Sequence, residues 1–439
     1  MSLANPVVVV PGITASSLRD AYPVSPESVW STLLNHSYRR VGLHPDDLRF
    51  ELVEPARVVP EAVFRVPYEE LILELRHNLS ESEDRPVPVF PFPYDWRQPL
   101  ERIEPELEAF VQEVIDRTRL LRHYAADDAW IAQPRANLVG HSMGGLLITG
   151  YLQRLGKRAP VERVATLATP FRGSYEALIK VLTGTASLSP LEPNSREREA
   201  ARLTPALYYL VPSFERAITA VPSGEVVDVF SADAWQRGVH ETLAEFIRLQ
   251  GVDPPRAKRE LLEHARALLQ GMLDGARAYA QRIAGFEPRG AGLARSAWLA
   301  ILGIDARTRV RLQVHRSRAG VRYELSGDDR MNEWSGGDPF NTGDGTVPLK
   351  GAIPPFLPRE SLVCVRPDDL GYWELGDRGL EGVVGWHGTI PKCNLVHRLL
   401  VKHFKGEDAR RDRSVWGTPL PGIRVESWQP PIEGLRIKG

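Results

Sequence analysis

The sequence predicts an α/β fold: a mostly parallel central sheet flanked by helices, with a helical cap inserted into it. Three observations carry that expectation. Short apolar runs alternate with segments of helical periodicity, as in chains where each strand is followed by a helix that covers the sheet. The run Ala136-Asn137-Leu138-Val139 leads through Gly140-His141-Ser142-Met143-Gly144-Gly145 into Leu146-Leu147-Ile148, so a buried strand meets a helix at a glycine-rich turn. From about residue 185 to 297 the strand signal gives way to alanine- and arginine-rich helical segments.

In chain order, Pro6–Val10 reads as a buried strand closed by Pro11-Gly12. Residues from about 15 to 85 read as irregular, with one helix at Tyr68–Arg76. Val87–Phe92 is the second strand, ending in Pro93-Tyr94-Asp95-Trp96-Arg97. Pro99 to Leu121 is a helix, because Ile103, Leu107, Phe110, Val111 and Val114 recur at helical spacing. Ala136–Gly140 is a strand, Gly144–Leu155 a helix and Val161–Leu167 another strand. In the cap, Arg256–Ala284 places Leu261, Ala265, Leu268, Met272, Ala276 and Tyr279 on one face. Strand signal returns at Trp298–Ile304. A hairpin follows, with Val310, Leu312 and Val314 alternating before Ala319-Gly320, and Val321, Tyr323 and Leu325 after it. Ser361–Val365 is the last strand and Asn394–Phe404 the last helix, before a tail rich in Pro, Gly and charge. The expected division is a core over 1–184, a cap over 185–297, a second core segment over 298–407 and a tail over 408–439.

Composition sets the background. The 439 residues are 43% hydrophobic and 25% charged, ordinary for a water-exposed globular chain. A net charge of −1 gives no electrostatic case for nucleic acid or an anionic membrane surface. Contact with a membrane is expected to be transient, since no apolar stretch reaches the ~18 residues of a spanning helix. The two cysteines, Cys364 and Cys393, exclude a disulfide framework and a cysteine-rich metal site, and point to a cytoplasmic location. Val7–Val10 stops at Pro11-Gly12, so it reads as a strand and not as a signal peptide. The 11 histidines lack HxxxH or HExxH spacing, so no metal or cofactor is expected. Oligomeric state is not encoded in any of this.

The chemistry lies in three segments: Gly140–Gly145, then Gly343-Asp344-Gly345-Thr346-Val347-Pro348, then Trp386-His387-Gly388. The order Ser…Asp…His is that of the α/β-hydrolase catalytic triad. The nucleophile must stand on a sharp strand-to-helix turn, and the flanking glycines leave room for its backbone. Ser142 fits that place, with its neighbour His141 read as structural. The base should follow the last strand, on a loop free to reach the serine. His387 does so, whereas His397 and His403 fall inside the last helix. For the acid, spacing leaves two candidates open. Asp305 ends the strand Trp298–Ile304, and Asp344 lies between two glycines in what could equally be a plain Asp-Gly turn.

The chain resembles the lecithin:cholesterol acyltransferase-like family of α/β-hydrolases, as a bacterial lipase-like member. The resemblance rests on Val8-Val9-Val10-Pro11-Gly12-Ile13, Phe92-Pro93-Tyr94-Asp95-Trp96-Arg97, Gly140–Gly145, Thr169-Pro170-Phe171-Arg172-Gly173-Ser174, Leu203–Pro212 and Gly343–Pro348. It implies Asp344 as the acid. It also implies an oxyanion hole made by the backbone N–H of Ile13 together with that of Met143, the residue after the nucleophile. The Asp95-Trp96-Arg97 segment is expected to be structural, with the ion pair fixing the loop and the indole packing. The implied function is cleavage of a carboxylic ester, of lipid or other acyl type, through an acyl-enzyme. The alternatives are an O-acyltransferase moving an acyl group from a phospholipid to an alcohol, and a non-catalytic binding protein on the same fold. Secreted family members carry signal peptides and disulfide-closed lids, and this chain departs from them in both respects.

Overall fold

The computed structural model describes residues 3–22, 24–31, 41–42, 57–185, 195–251, 253–317, 320–325, 330–331, 338, 340–371, 374, 385–406, 415–432 and 434–437. Along the chain the strands are β1 (Val7–Val10), β2 (Ser16–Asp20), β3 (Glu27–Trp30), β4 (Val58–Val63), β5 (Val89–Pro91), β6 (Ala136–His141) and β7 (Val161–Leu167). They continue as β8 (Ile218–Val221), β9 (Trp298–Gly303), β10 (Thr308–Arg309), β11 (Leu312–Ser317), β12 (Gly320–Glu324), β13 (Arg330–Met331), β14 (Val363–Val365), β15 (Trp416–Gly417) and β16 (Arg436–Ile437).

Among the described residues, six strands form one parallel sheet in the order β14-β9-β7-β6-β1-β5. Helices cover both faces, which is what a parallel sheet requires. Successive strand residues point to opposite faces, so the four valines of β1 divide between two cores. Val8 and Val10 pack with the helices Leu100–Arg119 and Met143–Leu155; Val7 and Val9 pack with Arg65–Leu79 and Asn394–Lys405. All four are fully buried, each contributing about 1.5–3 kcal/mol.

The stretch expected to be irregular before residue 85 holds an antiparallel sheet in the order β3-β2-β4. Its alternation is hidden because the inward positions of β2 are Ser16, Leu18 and Asp20. The two polar side chains are satisfied by backbone donors: Ser16 Oγ accepts from the N–H of Tyr94 at 3.2 Å, and Asp20 Oδ1 from those of Tyr22 at 2.9 Å and Arg57 at 3.1 Å. The helix expected at Tyr68–Arg76 runs over Arg65–Leu79.

Between β7 and β9 lie the helices Tyr175–Thr183, Ser195–Arg202, Arg237–Gln250 and Lys258–Ala284, together with β8. The long helix buries Leu269 and Leu273 where Leu268 and Met272 were expected. The adjacent apolar pairs Leu268-Leu269 and Met272-Leu273 suit either face, and packing selects one. A third core joins these helices to β8, β11 and β12, and includes Leu178, Trp235, Leu243, Leu273, Val314 and Tyr323. β8 pairs with β11 in parallel, and β11 with β12 antiparallel. The packing therefore does not follow the boundary expected at 297/298, because the hairpin joins the preceding helices. Ala319 of the hairpin turn, residues 186–194 and 252 of the expected cap, and residues 407–414 lie outside the described residues.

The long helix is tied to the sheet layer. Tyr279 Oη donates to the carbonyl of Leu146 at 3.0 Å, and Arg282 pairs with Glu104, whose carboxylate is buried between the two helices and also faces Arg154. The space for these groups exists because residue 150 is glycine: a Cβ there would overlap the Tyr279 hydroxyl and the Glu104 carboxylate. Among the described residues no helix is long and apolar enough to cross a membrane. Both cysteines are buried and unpaired.

Candidate active site

At the end of β6 the chain turns sharply into the helix Met143–Leu155. Ser142, at the turn, has φ 53° and ψ −128°, a conformation an L-residue holds only at a cost of about 1–3 kcal/mol. Its neighbours make the turn feasible. A Cβ on Gly144 would overlap the carbonyl oxygen of Val10, and one on Gly140 would lie 2.7 Å from Gly145 Cα. The Ser142 N–H is held by the carbonyl of Leu167 at 2.8 Å.

Ser142 Oγ lies 2.9 Å from His387 Nε2, and His387 Nδ1 lies 2.7 Å from Asp344 Oδ2. A carboxylate only accepts, so Nδ1 carries the proton and Nε2 presents its lone pair to the serine hydroxyl. Asp344 is 1% exposed. Its Oδ1 accepts the backbone N–H groups of Thr346 at 2.9 Å and Val347 at 2.6 Å, and its carbonyl accepts the N–H of His387 at 2.9 Å. The Gly343–Pro348 segment thus folds around its own carboxylate. His387 was expected on a loop; it sits instead in the short helical turn 385–389.

The rival candidates are elsewhere. Asp305 pairs with Arg366 at 3.0 Å. His397 and His403 are buried in the last helix, with Nε2 on the carbonyls of Pro391 at 2.7 Å and Val164 at 3.1 Å. Burial pushes the His403 imidazole down to about 3.

The turn after β1 borders the serine. A Cβ on Gly12 would come within 3.0 Å of Ser142 Cβ. Ile13 follows, packed against both the sheet core and the third core. Met143 is the first residue of its helix, so its N–H has no partner within the helix. Arg97 makes a two-pronged pair with Asp95, Nε to Oδ1 at 2.8 Å and Nη2 to Oδ2 at 2.7 Å, while Trp96 Nε1 donates to the Ser16 carbonyl at 3.0 Å. This buried segment pins the loop after β5 to β2.

Two residues near the site escaped sequence reasoning. Gly303 ends β9, and a Cβ there would stand 2.5 Å from Asp344 Cβ and 3.2 Å from Trp386 Nε1. A glycine closing a fully buried strand is a close-approach signal that could have been read. Tyr68 reads as one more apolar helix position and carried no signal, yet its hydroxyl lies 2.7 Å from His141 Nδ1. Among the described residues no group of three or more His, Cys, Asp and Glu comes together as a metal site would need.

The sheet, its helices and the sharp turn at Ser142 define the α/β-hydrolase fold. The chain resembles the family described as lecithin:cholesterol acyltransferase, whose family model matches residues 74–250. Among solved structures, a chain in the crystal structure of the Tle4–Tli4 complex is similar in fold, with a TM-score of 0.55 at 15% identity over 81% of this chain and 90% of that one. Phospholipase PlaB from Legionella pneumophila aligns at a TM-score of 0.37 and 11% identity over 92% of this chain and 61% of that one. No curated protein sequence matches the chain.

Proposed function

We propose that this chain is a serine hydrolase that cleaves carboxylic esters of lipid type through an acyl-enzyme. The observation that carries the reading is the continuous line Ser142 Oγ, His387 Nε2, His387 Nδ1, Asp344 Oδ2, with contacts of 2.9 and 2.7 Å. Ser142 Oγ attacks the ester carbonyl carbon and passes its proton to His387 Nε2. The N–H groups of Ile13 and Met143 receive the negative charge on the carbonyl oxygen. The intermediate collapses, His387 returns the proton to the leaving alcohol, and Ser142 keeps the acyl group. Water repeats the sequence and releases the acid. Asp344 Oδ2 accepts the Nδ1 hydrogen and orients the ring.

A lipid acyl group is supported by the likeness to the lecithin:cholesterol acyltransferase family. That likeness also favours a second reading, in which an alcohol takes the place of water and the product is a new ester. We assign substrate choice to the segment 185–297 together with the hairpin β11–β12, because Ile13 packs against their shared core.

A fluorophosphonate is expected to label Ser142, and Ser142→Ala to abolish both labelling and turnover of long-chain esters while the protein stays folded. Labelling of unchanged stoichiometry in Ser142→Ala overturns the assignment. Supplying phospholipid with a fatty alcohol and measuring free acid against new ester separates the two outcomes: acid in excess supports hydrolysis, and ester in excess at low alcohol supports transfer.

A further inference from the structure

A line of hydrogen bonds joins the turn after β1 to the carbonyl of the base. The Gly12 N–H donates to Tyr68 Oη at 2.9 Å. Tyr68 Oη lies 2.7 Å from His141 Nδ1, and His141 Nε2 lies 3.0 Å from the carbonyl oxygen of His387. The proton positions follow from the partners. A carbonyl only accepts, so His141 Nε2 carries a proton. Tyr68 Oη already receives the Gly12 N–H, so its own hydrogen points to His141 Nδ1, which accepts it. Each link then has one donor and one acceptor, with His141 neutral. Tyr68 and His141 are 1% and 4% exposed, so neither end exchanges these bonds for water.

We propose that Tyr68 and His141 are positioning residues that set the oxyanion-donor turn and the base in register across the nucleophile. The proposal rests on the function proposed above. Gly12 precedes Ile13, so the bond to Tyr68 fixes the Pro11–Gly12 peptide, one link before the peptide that carries the Ile13 N–H. At the far end, His141 Nε2 holds the His387 carbonyl, while Asp344 Oδ2 holds the ring at Nδ1. The two imidazoles stand 5.0 Å apart, centre to centre. Burial, and then the neighbouring His387, hold His141 well below the ordinary imidazole range. It therefore stays neutral while His387 takes the serine proton, and adds no like charge beside the imidazolium. Tyr68 supplies the hydrogen that a neutral His141 needs at Nδ1, and burial raises its phenol so that it keeps that hydrogen. The histidine before the serine thus has work that the nucleophile turn alone does not assign to it.

The test is turnover per active site, with sites counted by fluorophosphonate titration. Tyr68→Phe keeps the ring and removes the link, leaving the Gly12 N–H without its acceptor. Its kcat per titrated site is expected to fall by about tenfold, with KM within twofold, because the loss appears where charge develops. His141→Gln, whose amide can still donate to the His387 carbonyl, is expected to retain more kcat than His141→Phe, which cannot. A residue that merely packs would lower the number of titratable sites and leave kcat per site unchanged. If Tyr68→Phe does not fold, the His141 pair decides alone. Equal kcat per site in the wild type and Tyr68→Phe, or equal kcat in His141→Gln and His141→Phe, overturns the proposal. Failure of the underlying reading looks different: Ser142→Ala would then retain wild-type turnover.

Discussion

Gly303 stands so close to Asp344 that a single added methyl would lie 2.5 Å from the Asp344 Cβ. The end of β9 therefore forms the floor on which the carboxylate rests, and the same missing side chain admits Trp386, the residue before His387. Gly303→Ala is expected to displace Asp344 and lower kcat by tenfold or more, with a smaller effect on KM, since reacting geometry tolerates little misplacement. Steady-state kinetics with a soluble ester, alongside a denaturation curve to account for lost stability, decide it. An alanine variant with native kcat would mean that the backbone yields at no cost to the site.

Ser142 carries backbone strain as well as a hydroxyl. Ser142→Ala and Ser142→Gly are both expected to be inactive, but only glycine relaxes a residue at φ 53°. The glycine variant is expected to exceed the alanine variant in unfolding free energy by about 1 kcal/mol. Urea titration of the two proteins measures the difference, and an alanine variant as stable as glycine would show that the turn is not strained.

Asp344→Asn and His387→Ala are each expected to lower kcat by several orders of magnitude, and the double variant little further, because the groups act as a unit. Asp305→Asn breaks a pair with Arg366 and His397→Ala changes a helix interior, so both are expected to keep turnover when folded. A dead Asp305→Asn enzyme beside an active Asp344→Asn enzyme would reverse the choice of acid.

Acid sensitivity is expected to begin above the carboxylate range. The unfolded chain takes up a proton at His403 near pH 6.5, whereas burial delays that uptake in the folded protein to about pH 3. Between those limits the unfolded state binds more protons, so stability falls as pH falls, by up to about 1.4 kcal/mol per pH unit from this one ring. His141 shifts in the same direction and adds to the slope. His403→Gln removes one of these contributions. Urea unfolding at pH 6 and pH 5 is expected to show a shallower loss in that variant than in the wild type, and an identical loss would contradict the account.

Much of this arrangement was legible because the residues that build it also interrupt the hydrophobic pattern. Glycines 140, 144 and 145 announce a turn too tight for side chains. The choice between Asp344 and Asp305 was not a matter of pattern, since Asp305 ends a strand and Asp344 reads equally well as a plain Asp-Gly turn. The sheet β3-β2-β4 escaped because its inward residues Ser16 and Asp20 are polar, and their partners lie far along the chain. On the helix Lys258–Ala284 two of the expected inward positions moved by one residue, from Leu268 and Met272 to Leu269 and Leu273, because each adjacent apolar pair suits either face. Tyr68 was invisible because its role depends on a hydroxyl meeting a histidine 73 positions later.

Gly150 lies on the helix that begins at the Ser142 turn, and its missing side chain is filled by Tyr279 and Glu104 from two other helices. The segment after β7 is consequently not interchangeable with the corresponding segment of another chain of this fold. A chimaera that imported a different long helix would lose the tyrosine that fills this notch and leave the Glu104 carboxylate buried without Arg282. Conversely, transplanting this helix elsewhere would require a glycine and an acidic partner already waiting in the recipient. Exchange of this long helix between chains of the fold is therefore a three-element graft, in which residues 104, 150 and 279–282 must travel together.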